Sequence, residues 1–88
     1  MDGETAAYVY LVRCGDGSLY CGVAKDVASR VALHNTGRGA RYTRSRGPVT
    51  LVYMEPAVSW GAALSRERVI KSWRRSRKEE LVRSAAGS

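Results

Sequence analysis

Five residues of this sequence could move protons, bind phosphate or hold a metal ion, and their spacing places them among residues that should pack. They are Tyr10, Tyr20, Arg30, His34 and Glu67. Tyrosine and histidine can serve as acid or base, arginine binds phosphate through paired hydrogen bonds, and a carboxylate can hold a hard cation. A chain of 88 residues needs almost every apolar stripe for stability. Polar residues on such stripes therefore call for a functional interpretation.

The first predicted helix carries two of these residues on its apolar side. Asp26 is a good N-cap for a helix over about residues 27–35, and Gly37 is placed to end it. At about 100° per residue, Arg30 and His34 fall inside the apolar arc and stack one turn apart. One such residue would ordinarily be a snorkelling arginine or a hydrogen-bonded core histidine. Two together favour a functional site.

The second predicted helix places a carboxylate on a buried stripe. Ser59 predicts the N-cap of a helix over about residues 60–73, in which Glu67 lies in the middle of the apolar side with Ile70. Glutamate is almost never buried unless it is paired or coordinated. Glu67 is therefore a candidate site residue, and an ion pair with Arg30 is the structural alternative.

The two tyrosines lie on a predicted hairpin, with strands at residues 7–13 and 19–23. A two-residue turn would leave Tyr10 and Tyr20 on opposite faces of the sheet. A three-residue loop with Gly17 in the left-handed conformation would make them diagonal neighbours on one face. Gly17 suits either turn, so the shared face is a hypothesis about the register.

The rest of the chain supplies a third strand, a third helix and a loop. Residues 49–55 read as a strand that Pro56 closes. The stretch Ser76 to Glu79 fits the capping box of a short helix that ends near Arg83. Residues 36–48 hold three glycines, a proline and four arginines without periodicity, which predicts a basic loop.

The predicted order is strand, strand, helix, strand, helix, helix. This order describes a single α/β domain of the α+β type, in which helices cover a small sheet. We expect the domain to span residues 7–83, with flexible ends at residues 1–6 and 84–88.

Composition restricts the partners and the compartment. Lysine and arginine number 15 against 8 acidic residues, a formal net charge of +7, which favours a polyanionic partner such as nucleic acid. A membrane surface fits less well, because the basic residues do not lie on a long helix with a large apolar face. No apolar run has membrane length, and Cys14 and Cys21 lack metal-binding spacing. We expect both cysteines to be small packing residues in a reducing cytoplasm.

The basic residues outside the five candidates predict contacts to nucleic acid. Arginines of the basic loop would contact backbone phosphates, and Tyr42 would stack on an unpaired base. For any single arginine, a solvated position is an equally ordinary alternative. The predicted nucleic-acid-binding residues are Lys25, Arg38, Arg41, Tyr42, Arg44 and Arg46, and a second basic cluster is Arg74, Arg75, Arg77 and Lys78.

Taken in order, these residues resemble the GIY-YIG nuclease superfamily, and most closely its small stand-alone members. The resemblance covers about residues 7 to 83. The two name motifs stand here as Tyr8-Val9-Tyr10 and Tyr20-Cys21-Gly22, followed by Ala24-Lys25-Asp26, Arg30, His34, the run from Gly37 to Thr43, Gly47-Pro48-Val49, Glu67 and Ile70-Lys71-Ser72-Trp73. Each tripeptide alone is a weak signal, whereas the ordered set is specific.

The resemblance implies a three-stranded antiparallel sheet flanked by helices, and metal-dependent hydrolysis of nucleic-acid phosphodiesters. The family's active-site positions fall on Tyr10, Tyr20, Arg30, His34 and Glu67. In this reading Glu67 holds one Mg²⁺ or Mn²⁺ ion and Arg30 binds the phosphate. DNA is the favoured substrate, with a role in repair or recombination, and a protein partner would supply specificity.

One of the two tyrosines would deprotonate the attacking water, and the choice between them stays open at this stage. A free phenol has a pKa of about 10, so the metal ion, Arg30 or Lys25 would have to stabilise the phenolate. His34 would orient that tyrosine or relay its proton.

Two alternatives to an enzyme remain. Many family nucleases carry an asparagine after the catalytic glutamate, whereas the one asparagine here, Asn35, precedes Glu67. A non-catalytic nucleic-acid-binding module of the same fold would use Glu67 only as an ion-pair partner. An accessory subunit of a repair or restriction complex would instead dock on a larger protein.

Overall fold

The computed structural model describes residues 5–38 and 40–87, the side chain of Arg41 excepted. It confirms the predicted α+β architecture, with a three-stranded antiparallel sheet in the order β2-β1-β3 and helices packed on it. The elements are β1 (Ala7–Arg13), β2 (Leu19–Ala24), α1 (Val27–Asn35), α2 (Arg41–Arg44), β3 (Thr50–Ala57), α3 (Trp60–Lys71) and α4 (Arg75–Gly87). Of the flexible ends predicted at residues 1–6 and 84–88, residues 1–4 and Ser88 lie outside the described residues.

The hairpin between β1 and β2 adopts the three-residue loop. Val12 lies opposite Tyr20 and Tyr10 lies opposite Gly22, which is the register that this loop requires. Gly17 has a φ of 88°, a conformation that L side chains rarely adopt. The hypothesis that Tyr10 and Tyr20 share a face of the sheet is therefore confirmed.

The sheet separates two apolar cores. Side chains of odd-numbered β1 residues pack with Ala63 and Ile70 of α3. Side chains of even-numbered β1 residues pack with Val27 of α1. The first core is Ala7, Val9, Leu11, Cys21, Val23, Ala63 and Ile70, and the second is Tyr10, Val12, Cys14, Ala24, Val27 and Val49. Both cysteines are free and buried, as expected, and burial raises the pKa of the Cys21 thiol to about 11.

Several elements differ from the prediction. The segment predicted as a loop contains one helical turn, α2. Strand β3 continues through Pro56, which is tolerated because β3 is an edge strand. Helix α4 begins at Arg75 and continues to Gly87, so the predicted end near Arg83 was too early. Within the described ranges, no helix combines the length and the apolar character needed to cross a membrane.

The side chain of Asn35 fixes the end of α1 to the start of β3. Its amide nitrogen donates to the Val49 carbonyl at 3.0 Å, and its amide oxygen accepts from the Val49 backbone N–H at 2.6 Å. Both hydrogen-bonding groups of this asparagine are thus engaged in holding the fold. This structural role explains why an asparagine stands before Glu67 in the chain.

Glu79 does not act in a capping box, because Ser76 lies inside α4. The Glu79 carboxylate instead accepts two hydrogen bonds from the Arg13 guanidinium, at 2.9 and 2.6 Å. This bidentate pair joins α4 to the end of the central strand. The hydrogen bonds from Arg13 hold the pKa of Glu79 at about 2, below its usual 4.5.

We expect Glu79→Gln to lower the free energy of unfolding by about 1 kcal/mol at neutral pH, since the pair is partly exposed. The folded-state pKa lies below the unfolded one, so this stabilisation is present above pH 4.5 and is lost as the pH falls toward 2. Urea unfolding between these pH values measures it. Glu80→Gln, on the exposed neighbouring residue, is the control. Equal acid sensitivity of native chain and Glu79→Gln would contradict the prediction.

Candidate active site

Tyr10 reaches the edge of the sheet because the strand beside it carries no side chain at that point. It lies on the central strand β1 opposite Gly22 of the edge strand β2. A Cβ atom at Gly22 would lie 2.5 Å from Tyr10 Oη and 2.6 Å from its Cζ. The tyrosine ring therefore passes over the glycine, which explains why this strand needs glycine there.

The Tyr10 hydroxyl begins a buried chain of hydrogen bonds. Tyr10 Oη lies 2.9 Å from His34 Nε2, and His34 Nδ1 lies 2.7 Å from Thr43 Oγ1. Thr43 donates its own hydroxyl hydrogen to the Ala40 carbonyl, so its oxygen must accept from His34. Neutral His34 accordingly carries its hydrogen on Nδ1, and Tyr10 donates to Nε2.

Burial keeps the hydrogen-bonded side chains of Tyr10 and His34 in their neutral forms. Tyr10 is 1% exposed and His34 is 2% exposed. Burial raises the pKa of the Tyr10 phenol well above its usual range. Burial, followed by the positive charge of Arg30, lowers the pKa of His34 below its usual 6.5. The Tyr10 proton therefore stays on the phenol near neutral pH.

We expect His34, the only histidine, to titrate below pH 6.5, with its ring ¹⁵N shifts showing the Nδ1–H form at neutral pH. Its folded pKa is lowered, so stability falls as the pH drops from 6.5 toward that value. Thr43→Val should weaken the preference for the Nδ1–H form and destabilise the fold by about 1–3 kcal/mol, since it leaves a buried donor unpaired. Thr43→Ser should restore both properties. Unchanged ring shifts in Thr43→Val would contradict the assignment.

Tyr20 lies beside this chain in a more open position. Its ring centroid is 5.5 Å from that of His34, and the Tyr42 ring stacks on it at 5.8 Å. The Lys71 ammonium lies 5.4 Å from the Tyr20 ring centroid. Within the described part of the chain, no protein group hydrogen-bonds to the Tyr20 hydroxyl. Tyr20 thus offers a free phenol close to a cation.

Glu67 approaches the two tyrosines from α3. Its charge is close enough to raise the pKa of Tyr10, although burial is the larger cause. Its ion pair is with Lys71 at 3.3 Å, one turn along the same helix, so the structure does not show the alternative pair with Arg30. The Glu67 side chain is 19% exposed, so solvent or a ligand can still reach it.

Arg30 stands on the exposed side of α1 and faces the same site. Its charge lowers the pKa of both Tyr10 and His34, which places the guanidinium near the Tyr10–His34 pair. Arg30 also lines an open groove with Lys25. The charges of Arg30 and Glu67 thus both act on the Tyr10 hydroxyl.

The residues predicted to contact nucleic acid differ in their exposure and in their contacts within the chain. Arg38 and Arg44 are exposed, whereas the side chain of Arg41 lies outside the described residues. Tyr42 is 37% exposed, its ring stacks with that of Tyr20, and the Arg46 guanidinium lies 4.0 Å from its centroid. Arg46 also pairs with Asp16 at 3.2 Å and donates to the Tyr42 carbonyl.

In the second basic cluster, Arg75 forms an ion pair with Glu79, and the Arg77 guanidinium lies over the Trp73 ring.

Sequence patterns alone missed two contributors to the site. Thr43 lies in a segment without periodicity, so nothing in the pattern shows that it contacts His34. Lys71 lies four residues after Glu67, and that spacing does indicate a same-face ion pair. Across the described residues, no group of three or more histidine, cysteine, aspartate or glutamate side chains is arranged to hold a metal ion. Any ion at Glu67 would therefore keep most of its water ligands.

Comparison with known proteins relates nearly the whole chain to one family. The family model described as GIY-YIG catalytic domain matches residues 6–80. UPF0213 protein SERP0126 of Staphylococcus epidermidis is 51% identical over 75 residues, which cover 85% of this chain and 92% of the relative. A UPF0213 protein of Staphylococcus aureus is 51% identical over 76 residues, covering 86% and 93%.

Two solved structures share the fold. The solution NMR structure of UPF0213 protein BH0048 from Bacillus halodurans is 43% identical, with a TM-score of 0.56 over 86% of this chain and 81% of that one. The solution NMR structure of EF2693 from E. faecalis is 30% identical, with a TM-score of 0.63 over 100% of this chain and 94% of that one.

Proposed function

Since the chain belongs to the GIY-YIG catalytic-domain family, we propose that it is a metal-dependent endonuclease that hydrolyses DNA phosphodiester bonds. One observation carries the proposal: the Tyr10–His34 pair stands beside Tyr20, and the charges of Arg30 and Glu67 both act on Tyr10. The enzyme would act on DNA in the cytoplasm, in repair or recombination.

Tyr20 is the better candidate for the base that activates water. Its hydroxyl is free in the described part of the chain, and the Lys71 ammonium lies 5.4 Å from its ring centroid. As a phenolate, Tyr20 would take a proton from water, whose oxygen would then bond to phosphorus while the bond to the leaving 3′ oxygen breaks. Tyr10 suits this step less well, because its own proton is held against His34.

The buried chain would keep the site in place. Tyr10, His34 and Thr43 fix one another through two hydrogen bonds, and the Tyr20 ring rests against the His34 ring. The orientation of Tyr20 would thus be set before substrate arrives, which reduces the entropy lost in reaching the transition state.

Arg30, and a metal ion held by Glu67, would balance the negative charge of the phosphate. The exposed Arg30 guanidinium is suited to bind two phosphate oxygens at once. Glu67 fits a single Mg²⁺ or Mn²⁺ ion, because such an ion often takes only one or two carboxylates and retains several waters. When bound, the ion would supply positive charge beside the leaving oxygen. The pair with Lys71 is partly exposed and contributes little energy, so Glu67 can exchange that partner for the ion.

The proposal is tested with labelled single-stranded, duplex and branched DNA incubated with the native chain and Mg²⁺, Mn²⁺ or EDTA. We expect cleavage of at least one substrate with a divalent ion and none with EDTA. Tight binding without cleavage of any substrate, in either ion, would favour a non-catalytic nucleic-acid-binding module in which Glu67 only pairs with Lys71.

A further inference from the structure

An open groove of about 690 Å³ lies next to Arg30, between the start of α1 and the start of α3. This volume is within the range of small-molecule binding sites. Ala24, Leu33 and Trp60 form apolar walls, and Lys25, Asp26 and Arg30 are its charged residues. We call it the Trp60 groove.

Trp60 differs from the other large aromatic residues near the surface. Its side chain is 43% exposed at the first position of α3. Tyr42, at 37% exposed, has the Tyr20 ring and the Arg46 guanidinium against its ring, and the Trp73 ring has Arg66 and Arg77 against it. Among the described residues, no aromatic ring or cation packs against the Trp60 indole. An aromatic surface is therefore left open inside a groove.

The charges of the groove select the class of ligand. Lys25 and Arg30 are exposed cations, and the whole chain carries a net charge of +7. The Asp26 carboxylate is already occupied, since it accepts from the backbone and the hydroxyl of Ser29. An aromatic wall with cations beside it matches a planar base joined to a phosphate.

We propose that the Trp60 groove binds an unpaired nucleobase, which stacks on the Trp60 indole while Arg30 and Lys25 contact the phosphates that flank it. A base within a duplex is stacked and paired, so only a single-stranded or flipped-out nucleotide can enter. Because Arg30 serves both the groove and the reaction site, the bound nucleotide neighbours the phosphate that is cleaved. The proposal rests on the proposed function for the nature of the substrate and for the position of the phosphate that is cleaved.

The test measures binding in EDTA, where no cleavage is expected, using a labelled oligothymidylate, the same strand in a duplex, and a strand of equal length with abasic sites. Trp60→Ala should weaken binding of the oligothymidylate at least about five-fold, the lower end for loss of one stacked base. It should leave binding of the duplex and of the abasic strand nearly unchanged. Val69→Ala, an exposed α3 residue outside the groove, should bind all three as the native chain does.

Two conservative variants separate stacking from packing. Trp60→Phe should restore most of the oligothymidylate affinity, whereas Trp60→Leu should not, although both fill the wall with apolar atoms. Recovery in Trp60→Leu, equal losses for all three probes, or no loss in Trp60→Ala would each overturn the proposal. Binding that depends on Trp60, in a protein that cleaves no DNA, would support the proposal for the groove and contradict the proposed nuclease activity. Cleavage at the same rate by Trp60→Ala and by the native chain would support the nuclease and overturn the proposal for the groove.

Discussion

Tyr20→Phe is expected to lower the rate of DNA cleavage by about 100-fold or more without lowering the Tm, because proton transfer by a positioned base typically contributes that much. Phenylalanine keeps the ring contacts with His34 and Tyr42 and removes only a hydroxyl that no described protein group binds. Single-turnover cleavage at saturating Mg²⁺, together with thermal unfolding, measures both properties.

Tyr10→Phe supplies the matched comparison on the same face of the sheet. It leaves buried His34 Nε2 without its donor, so we expect a loss of about 1–3 kcal/mol in the free energy of unfolding. The cleavage rate should fall less than in Tyr20→Phe. If Tyr10→Phe loses more activity than Tyr20→Phe, the roles assigned to the two tyrosines must be exchanged.

Gly22→Ala is expected to abolish cleavage through a single added methyl group. The new Cβ would occupy the space of the Tyr10 hydroxyl and Cζ, so either the ring leaves His34 or β2 shifts away from β1. Overpacking of this kind costs about 1–3 kcal/mol, and we expect a lower Tm as well as a loss of activity. Cleavage assays, thermal unfolding and the ¹⁵N shifts of His34 measure the three effects.

Gly61→Ala is the control for this substitution. A Cβ at Gly61 meets only the Ser59 hydroxyl oxygen at 3.9 Å, and alanine favours the helix in which Gly61 lies. We expect native activity and an equal or slightly higher Tm. A Gly22→Ala chain with native activity and native His34 shifts would show that Tyr10 need not pass over the glycine.

Periodicity predicted the parts of the site that depend on a single element. Arg30, His34 and Glu67 were singled out because each breaks the apolar pattern of its own helix. In the structure His34 is buried and Glu67 is partly buried. Arg30 is exposed, so the prediction that it lies on the apolar side of its helix was wrong. Whether Tyr10 and Tyr20 share a face depends on the length of one turn. The sequence did not decide that length, because Gly17 is compatible with both possible registers.

Contacts between distant elements were beyond the reach of the pattern. Thr43 contacts His34 only because α2 folds back over α1, and the residues of α2 carry no period that predicts it. The sequence predicted a capping box for Glu79, and this prediction was wrong. Helix α4 begins at Arg75, before Ser76, and Glu79 pairs with Arg13 instead.

Tyr42 shows the same limitation at the surface. An aromatic residue in an arginine-rich loop is typical of base stacking, but the Tyr42 ring already stacks with Tyr20 and has the Arg46 guanidinium 4.0 Å from its centroid. The aromatic surface without a ring or cation partner among the described residues is instead that of Trp60, at the first position of α3. The sequence shows which residues are aromatic, whereas only the fold shows which of their rings have no stacking partner within the described residues.

The most direct test of the account is a Mg²⁺ titration of DNA cleavage by the native chain, Glu67→Gln and Glu80→Gln, purified in parallel. Glu67 is assigned to the ion, whereas Glu80 is exposed on α4. We predict saturable cleavage by the native chain and an identical curve for Glu80→Gln. We predict cleavage at least about 100-fold slower for Glu67→Gln at every Mg²⁺ concentration, a loss typical of removing charge stabilisation at a reacting group. Equal curves for all three proteins would contradict the assignment of the active site.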